Sequence, residues 1–381
     1  MQRLLAAALA LSLLCAAPAR AEDDPDLAAY AKAIAWLAKQ QHENGAFGAI
    51  PRQQEQGELG MTGLALSALA GAPEPYRTTY RPQADKAAAW ILAHQQPDGS
   101  FVQARSGMAT YRTSIAILAL VRYDRERYRE QIKKAAEWLK ASQWSEQNGA
   151  PKEDPNHGGF GYGGGKRPSS DLSNTNLALA ALHDAGIAKD DPVFQRALVF
   201  LSRCQNSSET NPGVKGVKPT EDGGFHYAAA PGRDGVDNGD GTKSFASYAS
   251  MTYGGLMSLV ESGLDRKDPR VKAALGWIEQ HYTLDENYGL GTRSRDPKAG
   301  QKGLYYYYFV FAKCLATLGS PALEAKGGER KWARDLLDAL RKRQQPDGRF
   351  VNTDPAYWEN DPVLVTSFVL DAMNRALPFR N

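Results

Sequence analysis

The chain has little sulfur, few histidines and no marked excess of either charge, and each shortage excludes something. Its only cysteines are Cys15, Cys204 and Cys314. Three are too few for a disulfide framework, and no C-x-x-C spacing occurs. The six histidines (His42, His94, His157, His183, His226, His281) are scattered and no H-E-x-x-H is present, so neither a metal site nor a cofactor is expected. The formal net charge is +3. No basic run is long enough to release many counterions from a polyanion, which argues against a nucleic-acid partner. Beyond the N-terminus no apolar run approaches the length of a membrane helix.

The one long apolar run, Leu4 to Ala17, follows Arg3 and precedes Ala19-Arg20-Ala21, an A-x-A cleavage pattern. Residues 1–21 therefore read as an export signal, placing the mature chain in the periplasm or outside the cell. Leu14 before Cys15 argues against a lipoprotein. Loss of Arg3 and Arg20 takes the formal charge from +3 to +1. Cys204 and Cys314 remain, read as two buried thiols, with a single bridge as the alternative.

Residues 22–381 are organised by repetition. Three loops echo one another: Gln41 to Phe47, Gln95 to Phe101 and Gln344 to Phe350, each with Gly two residues before its Phe. Gly158 to Tyr162, Asp222 to Tyr227 and Asp285 to Gly291 are looser variants. An amphipathic segment precedes each loop, as in Ala33 to Leu37, Ala88 to Leu92 and Ala135 to Leu139. A more apolar segment follows each loop, and these second segments align. One column reads Thr62, Thr113, Thr175, Thr252, Tyr308, Thr366. Seven residues on come Leu69, Leu120, Leu182, Leu259, Leu315 and Met373. Small residues fill the columns between them.

The physics predicts an outer layer of amphipathic helices and an inner layer of apolar ones. Glycine ends each outer helix, since only glycine takes positive φ without steric cost. One helix pair cannot cover its own apolar face, but a closed row of pairs can. The expected fold is all-α: an α6/α6 toroid of six degenerate helix pairs, forming one domain over 22–381. An open solenoid is the rival, and neither terminal repeat looks like a cap.

The Q-x-x-x-G-x-F loops resemble the QW motif of the squalene cyclase and protein prenyltransferase repeat superfamily, with Phe for the usual Trp. Segments such as Ser247 to Leu256 and Gly303 to Tyr308 resemble secreted bacterial members of it. The resemblance implies the terpenoid cyclase-like toroid and lets its chemistries be tested. Squalene–hopene cyclases protonate a polyene with the middle Asp of D-x-D-D-T. The matching stretch here is Asp171-Leu172-Ser173-Asn174-Thr175, with Ser173 in the donor's place. A hydroxyl cannot supply the strong acid that an alkene needs. The D-x-C zinc ligands of prenyltransferases and the G-C-G-E-Q thioester of complement-like toroids are also missing.

The central cavity is the expected ligand site. The residue two before each Thr is expected to face it, with those three and seven further on. The first column holds Tyr111, Ser173, Ser250 and Tyr306; the second Ser114, Asn176, Tyr253, Phe309 and Ser367; the third Ser67, Leu118, Lys313 and Asp371. Lys313 and Asp371 share a level on adjacent inner helices, so an ion pair is expected between them. Of Tyr305 to Tyr308, at most two can face the lumen. Candidate acids are Asp171, Glu359 and Asp361, although Asp361 before Pro362 also suits a helix cap. Asp234, Asp237, Asn238 and Asp240 suit calcium by residue type, but their spacing fails an EF-hand and favours a surface loop.

Three functions stay open. One is an exported toroid that binds a ligand or partner at its centre. Another is an enzyme on an apolar or isoprenoid substrate with a non-standard acid such as Glu359. The third is a polysaccharide-active, lyase-like toroid using Tyr111, Arg112 and Lys313.

Overall fold

The computed structural model describes residues 24–50, 55–103, 107–163, 169–232, 235–291 and 296–381. The chain forms outer helix α1 (Pro25–Ala38), inner α2 (Leu59–Ala70), a single turn α3 (Tyr76–Thr79), outer α4 (Arg81–Leu92), inner α5 (Ala109–Asp124) and outer α6 (Arg129–Ala141). Then come inner α7 (Leu172–Asp184), outer α8 (Pro192–Cys204), inner α9 (Ala249–Glu261) and outer α10 (Pro269–His281). Inner α11 (Leu304–Leu318), outer α12 (Trp332–Arg343) and inner α13 (Pro362–Ala376) complete the set. Two small hairpins pair Ala49–Ile50 with Glu55–Gln56, and Val236–Asp237 with Lys243–Ser244. Among the described residues no helix is long and apolar enough to cross a membrane.

The inner helices touch in the order α2, α5, α7, α9, α11, α13 and back to α2, so the ring is closed. Closure is hydrogen-bonded as well as packed. Asn374 Nδ2 donates to the Ala68 carbonyl at 3.0 Å, and the Tyr30 hydroxyl donates to Asn374 Oδ1 at 2.7 Å. The open solenoid is excluded.

The loop motif has one job in five repeats. The Gln amide donates to the carbonyl of its own loop glycine and to a carbonyl in the first turn of the next outer helix. Gln41 reaches Gly45 and Gln83, Gln95 reaches Gly99 and Gln131, and Gln344 reaches Gly348 and, across the closure, Ala29. Gln143 and Gln205 do the same with Val193 and Arg270. Gly99 shows why the loop needs glycine: φ is +95°, and a Cβ would lie 2.4 Å from the Lys134 carbonyl oxygen.

The Thr column anchors the loops to the inner layer. The buried N–H groups of Phe47, Phe101, Phe160, Phe225 and Phe350 each donate to the hydroxyl of Thr62, Thr113, Thr175, Thr252 and Thr366, at 2.9–3.0 Å. A buried N–H left unpaired there would cost about 1–3 kcal/mol. Tyr308, the exception in the column, sends its hydroxyl to the Leu284 carbonyl instead. The Leu column is almost wholly buried, each side chain contributing about 1.5–3 kcal/mol. Cys204 and Cys314 are buried and unpaired, so no bridge forms.

Asp237, Asn238 and Asp240 belong to a surface hairpin. Asp237 accepts from the Gly239 N–H, Asp240 from Thr242, and Asn238 donates to Thr242 and Ser244. Asp234 lies outside the described residues, as do residues 1–21, read above as an export signal, with Cys15.

Candidate functional site

An α-helix lets i+3 or i+4 continue a face, and packing chooses i+4 here. The lumen-facing positions are two before each Thr, then two, five and nine after it. Leu64, Ile115 and Leu177 hold the second of these positions and line the central cavity. The second column expected from sequence is turned into the seams between inner helices. Asn176 Oδ1 accepts from Ser258 on α9 at 2.7 Å. Tyr253 packs against Tyr307 and Phe311 on α11. Ser114 and Ser367 donate back to carbonyls of their own helices. Only Phe309 of that column lines the cavity.

The mouth at the N-terminal ends of the inner helices is rich in phenols. Asp171 caps α7: its carboxylate accepts from Ser173 Oγ at 2.7 Å, Asn174 N at 2.8 Å and Asn174 Nδ2 at 2.7 Å. Burial raises its pKa, and these hydrogen bonds, with one from Tyr227, oppose the rise. Tyr162 hydrogen-bonds Tyr227 and lies 6.3 Å, ring to ring, from Tyr111. Tyr248 and Tyr306 lie within electrostatic reach of Asp171, and burial raises the pKa of both phenols. The Tyr306 hydroxyl is buried without a hydrogen-bond partner among the described residues. Tyr305, Tyr307 and Tyr308 pack between elements, which leaves Tyr306 alone of the four at the lumen.

Four rings stand out into solvent at this mouth: Tyr162 is 46% exposed, Tyr227 40%, Tyr357 64% and Trp358 59%. Tyr357 and Trp358 hold φ of 58° and 66°. Two bulky residues in the left-handed region cost about 1–3 kcal/mol each, and such strain clusters at functional sites. The next residue holds them there. Glu359 is fully buried and accepts from the Tyr306 N–H and from Asn352 Nδ2, both at 2.7 Å.

Several candidate side chains are committed to structural partners instead. Glu359 caps α11, whose own N-cap is Gly303 without a side chain. Burial pushes its pKa up to about 7, but it does not face the lumen. Asp361 caps α13 through the N–H groups of Val363 and Leu364. Ser250 is tied down by Asn287, which accepts from its N–H and donates to its hydroxyl. Arg112 is buried against Glu58, at 2.7 Å, far from Lys313 along the inner helices.

At the opposite mouth a cavity of about 300 Å³ brings together Lys313 and Asp371, as their shared column requires. The expected ion pair between them does not form. Asp371 is taken by Arg122 and by Arg375, the latter at 2.8 Å. Burial opposes its charge, and Arg375 and Arg122 outweigh that, so its pKa falls to about 2. Sequence reasoning missed Arg122, Asp184, Glu261 and Arg375, yet a signal existed: each stands nine residues after its Thr.

A closed double ring of inner and outer helices around a central cavity defines a terpenoid cyclase-like α/α toroid. A family model described as the prenyltransferase alpha-alpha toroid domain matches residues 6–164 and 126–230, more than half of the chain. The chain belongs to that family. It is 30% identical over 206 residues to drimenyl diphosphate synthase of Streptomyces showdoensis, a match covering 52% of this chain and 36% of that protein. It thus spans about a third of that relative's length. Solved structures share the fold. The type II terpene cyclase MstE from Scytonema superposes with a TM-score of 0.55 at 12% identity, covering 93% of this chain and 99% of that one. An inactive α-1,6-mannanase of Salegentibacter in complex with α-1,6-mannotriose gives 0.57 at 13% identity, over 93% and 99%. An unsaturated glucuronyl hydrolase specific for heparin gives 0.58 at 14%, over 93% and 98%.

Proposed function

We propose that this toroid is exported, that it binds a saccharide at the N-terminal mouth of its ring, and that it does not cyclise polyenes. One observation carries the reading: Tyr162, Tyr227, Tyr357 and Trp358 stand open to solvent around the polar floor of Asp171, Ser173 and Asn174. Sugars present C–H faces that stack on such rings and hydroxyls that exchange hydrogen bonds with the floor. A polyene needs a site closed to water and a strong acid. This mouth has neither: its rings are wet, Ser173 replaces the donor, and Asp171 is committed as a cap. The mannotriose bound to the mannanase toroid gives the saccharide reading a precedent on this fold, although fold alone does not assign a function. An isoprenoid ligand is the competing reading, resting on the synthase relative.

The test is native mass spectrometry of the exported protein after exposure to oligosaccharides and, separately, to an isoprenoid lipid extract. The expected result is retention of an oligosaccharide, weakened about tenfold or more in Trp358→Ala. Retention of isoprenoids alone, or of neither class, overturns the proposal. Export is checked by N-terminal sequencing, which should begin at Glu22.

A further inference from the structure

The second mouth, at the C-terminal ends of the inner helices, is built in levels. Two residues after the Thr column the cavity floor is apolar: Leu64, Ile115 and Leu177, with Phe309 beside them. Three residues higher stand Lys313 and Asp371. At the rim are Arg122, Asp184 and Arg375. Glu261 lies behind Lys313 on the neighbouring helix, and His183 beside Asp184.

The charges at this end do not all find partners. Asp371 engages both guanidinium groups, Arg122 and Arg375. Asp184 contacts His183 at 3.0 Å. Lys313 is only 4% exposed, and its Nζ has no hydrogen-bond partner among the described residues. Glu261, Asp184 and Asp371 all feel its charge, yet none accepts a hydrogen bond from its Nζ: Asp371 engages two arginines, and one Glu261 carboxyl oxygen is itself unpartnered. A buried ammonium is tolerated when something of opposite charge meets it. Here the space in front of it is a cavity.

We propose that this cavity is a binding site for a small amphiphilic carboxylate, its anionic head on Lys313 Nζ and its apolar body on the floor formed by Leu64, Ile115, Leu177 and Phe309. A monoanion suits the site better than a phosphate dianion, because Asp371 and Asp184 flank the head position and would repel a second charge. The guanidinium groups are already paired, so one ammonium remains for one carboxylate. The floor requires a hydrocarbon body, and a volume near 300 Å³ holds a short chain rather than a long lipid. The site lies at the end of the ring opposite the saccharide mouth and does not depend on that reading.

The test is isothermal titration of the full mature protein with octanoate, with geranic acid as a branched isoprenoid carboxylate, and with octanol as the neutral control. The expected result is saturable binding of one or both carboxylates at least tenfold tighter than octanol. Which of the two binds better tells a straight-chain source from an isoprenoid one. Lys313→Met should abolish the preference over octanol while leaving the thermal transition in place. The wild-type comparison stands alone if that variant fails to fold. Binding of octanol as tight as that of the carboxylates, or no binding of either carboxylate, overturns the proposal.

Discussion

Arg122 on α5 pairs with Asp371 on α13, although α2 stands between those two helices in the ring. The Arg122 side chain passes over the C-terminal end of α2 at Gly71, where a Cβ would lie 2.2 Å from the guanidinium. The contact joins residues 249 apart in sequence and braces the point where the ring closes. Removing one partner of a buried pair leaves the other charge uncompensated. Asp371→Asn should therefore cost about 3–5 kcal/mol in urea unfolding. Gly71→Ala should cost less, since the arginine can swing away, but it should lose the pair. A cost below about 1 kcal/mol for Asp371→Asn would remove the brace from the account.

The Thr column predicts a graded pair of variants. Thr175→Val keeps the shape but strands the buried Phe160 N–H, which now donates to the threonine hydroxyl at 3.0 Å. The expected loss is about 1–3 kcal/mol, and Thr175→Ser should recover most of it. Thermal unfolding of both variants measures the difference. No loss in Thr175→Val, beside a loss in Thr175→Ser, would show that the methyl group matters and the hydroxyl does not.

Two glycines should respond with opposite signs. Gly99→Ala meets the Lys134 backbone and a positive φ together, so destabilisation of at least about 1–3 kcal/mol is expected. Gly276 lies within α10, where a Cβ meets nothing within 4 Å. Gly276→Ala should stabilise by about 0.5–1 kcal/mol through helix propensity. Denaturant midpoints of the two variants should move in opposite directions.

Glu359 gives a pH signature. Its pKa rises from the ordinary 4.5 to about 7 in the folded protein, so the folded state holds a proton that the unfolded state has released. Stability from this group is full below about pH 4.5 and is lost as pH rises to about 7, by roughly 3 kcal/mol. His226 acts in the opposite sense: burial lowers its pKa to about 4, and its contribution is lost as pH falls below about 6.5. The stability difference between wild type and Glu359→Gln isolates the first effect. It should decline between pH 4.5 and 7 and be flat above; a flat difference throughout would show that Glu359 stays ionised.

Much of the ring was legible in the sequence because each repeat solves the same local problem. A glycine must turn where another backbone crowds it, a threonine must meet a buried N–H, and a leucine must fill the space between layers. These needs recur at fixed spacing and can be read as columns. Gln143 and Gln205 were missed as members of the loop motif because inserted residues separate each from its glycine, although both make the same two hydrogen bonds.

The lumen was only partly legible. The position five after each Thr brings Lys313 and Asp371 to the cavity. The position one after it failed by one residue. A helix of 3.6 residues per turn permits both three and four, and only contact with neighbouring helices selects between them. Asp361 caps α13, as its place before Pro362 suggested, whereas Glu359 read as an acid by residue type and proved to be a cap by position.

The sequence by itself determined the helix pairs, their number and the columns that hold them in step, because those depend on local periodicity and on turns. Only the tertiary structure decided that Arg122, rather than Lys313, answers Asp371, and that Lys313 lines the central cavity. Pairing of charges depends on which side chains the closed ring brings together, and in a ring the nearest partner in space stands far away along the chain.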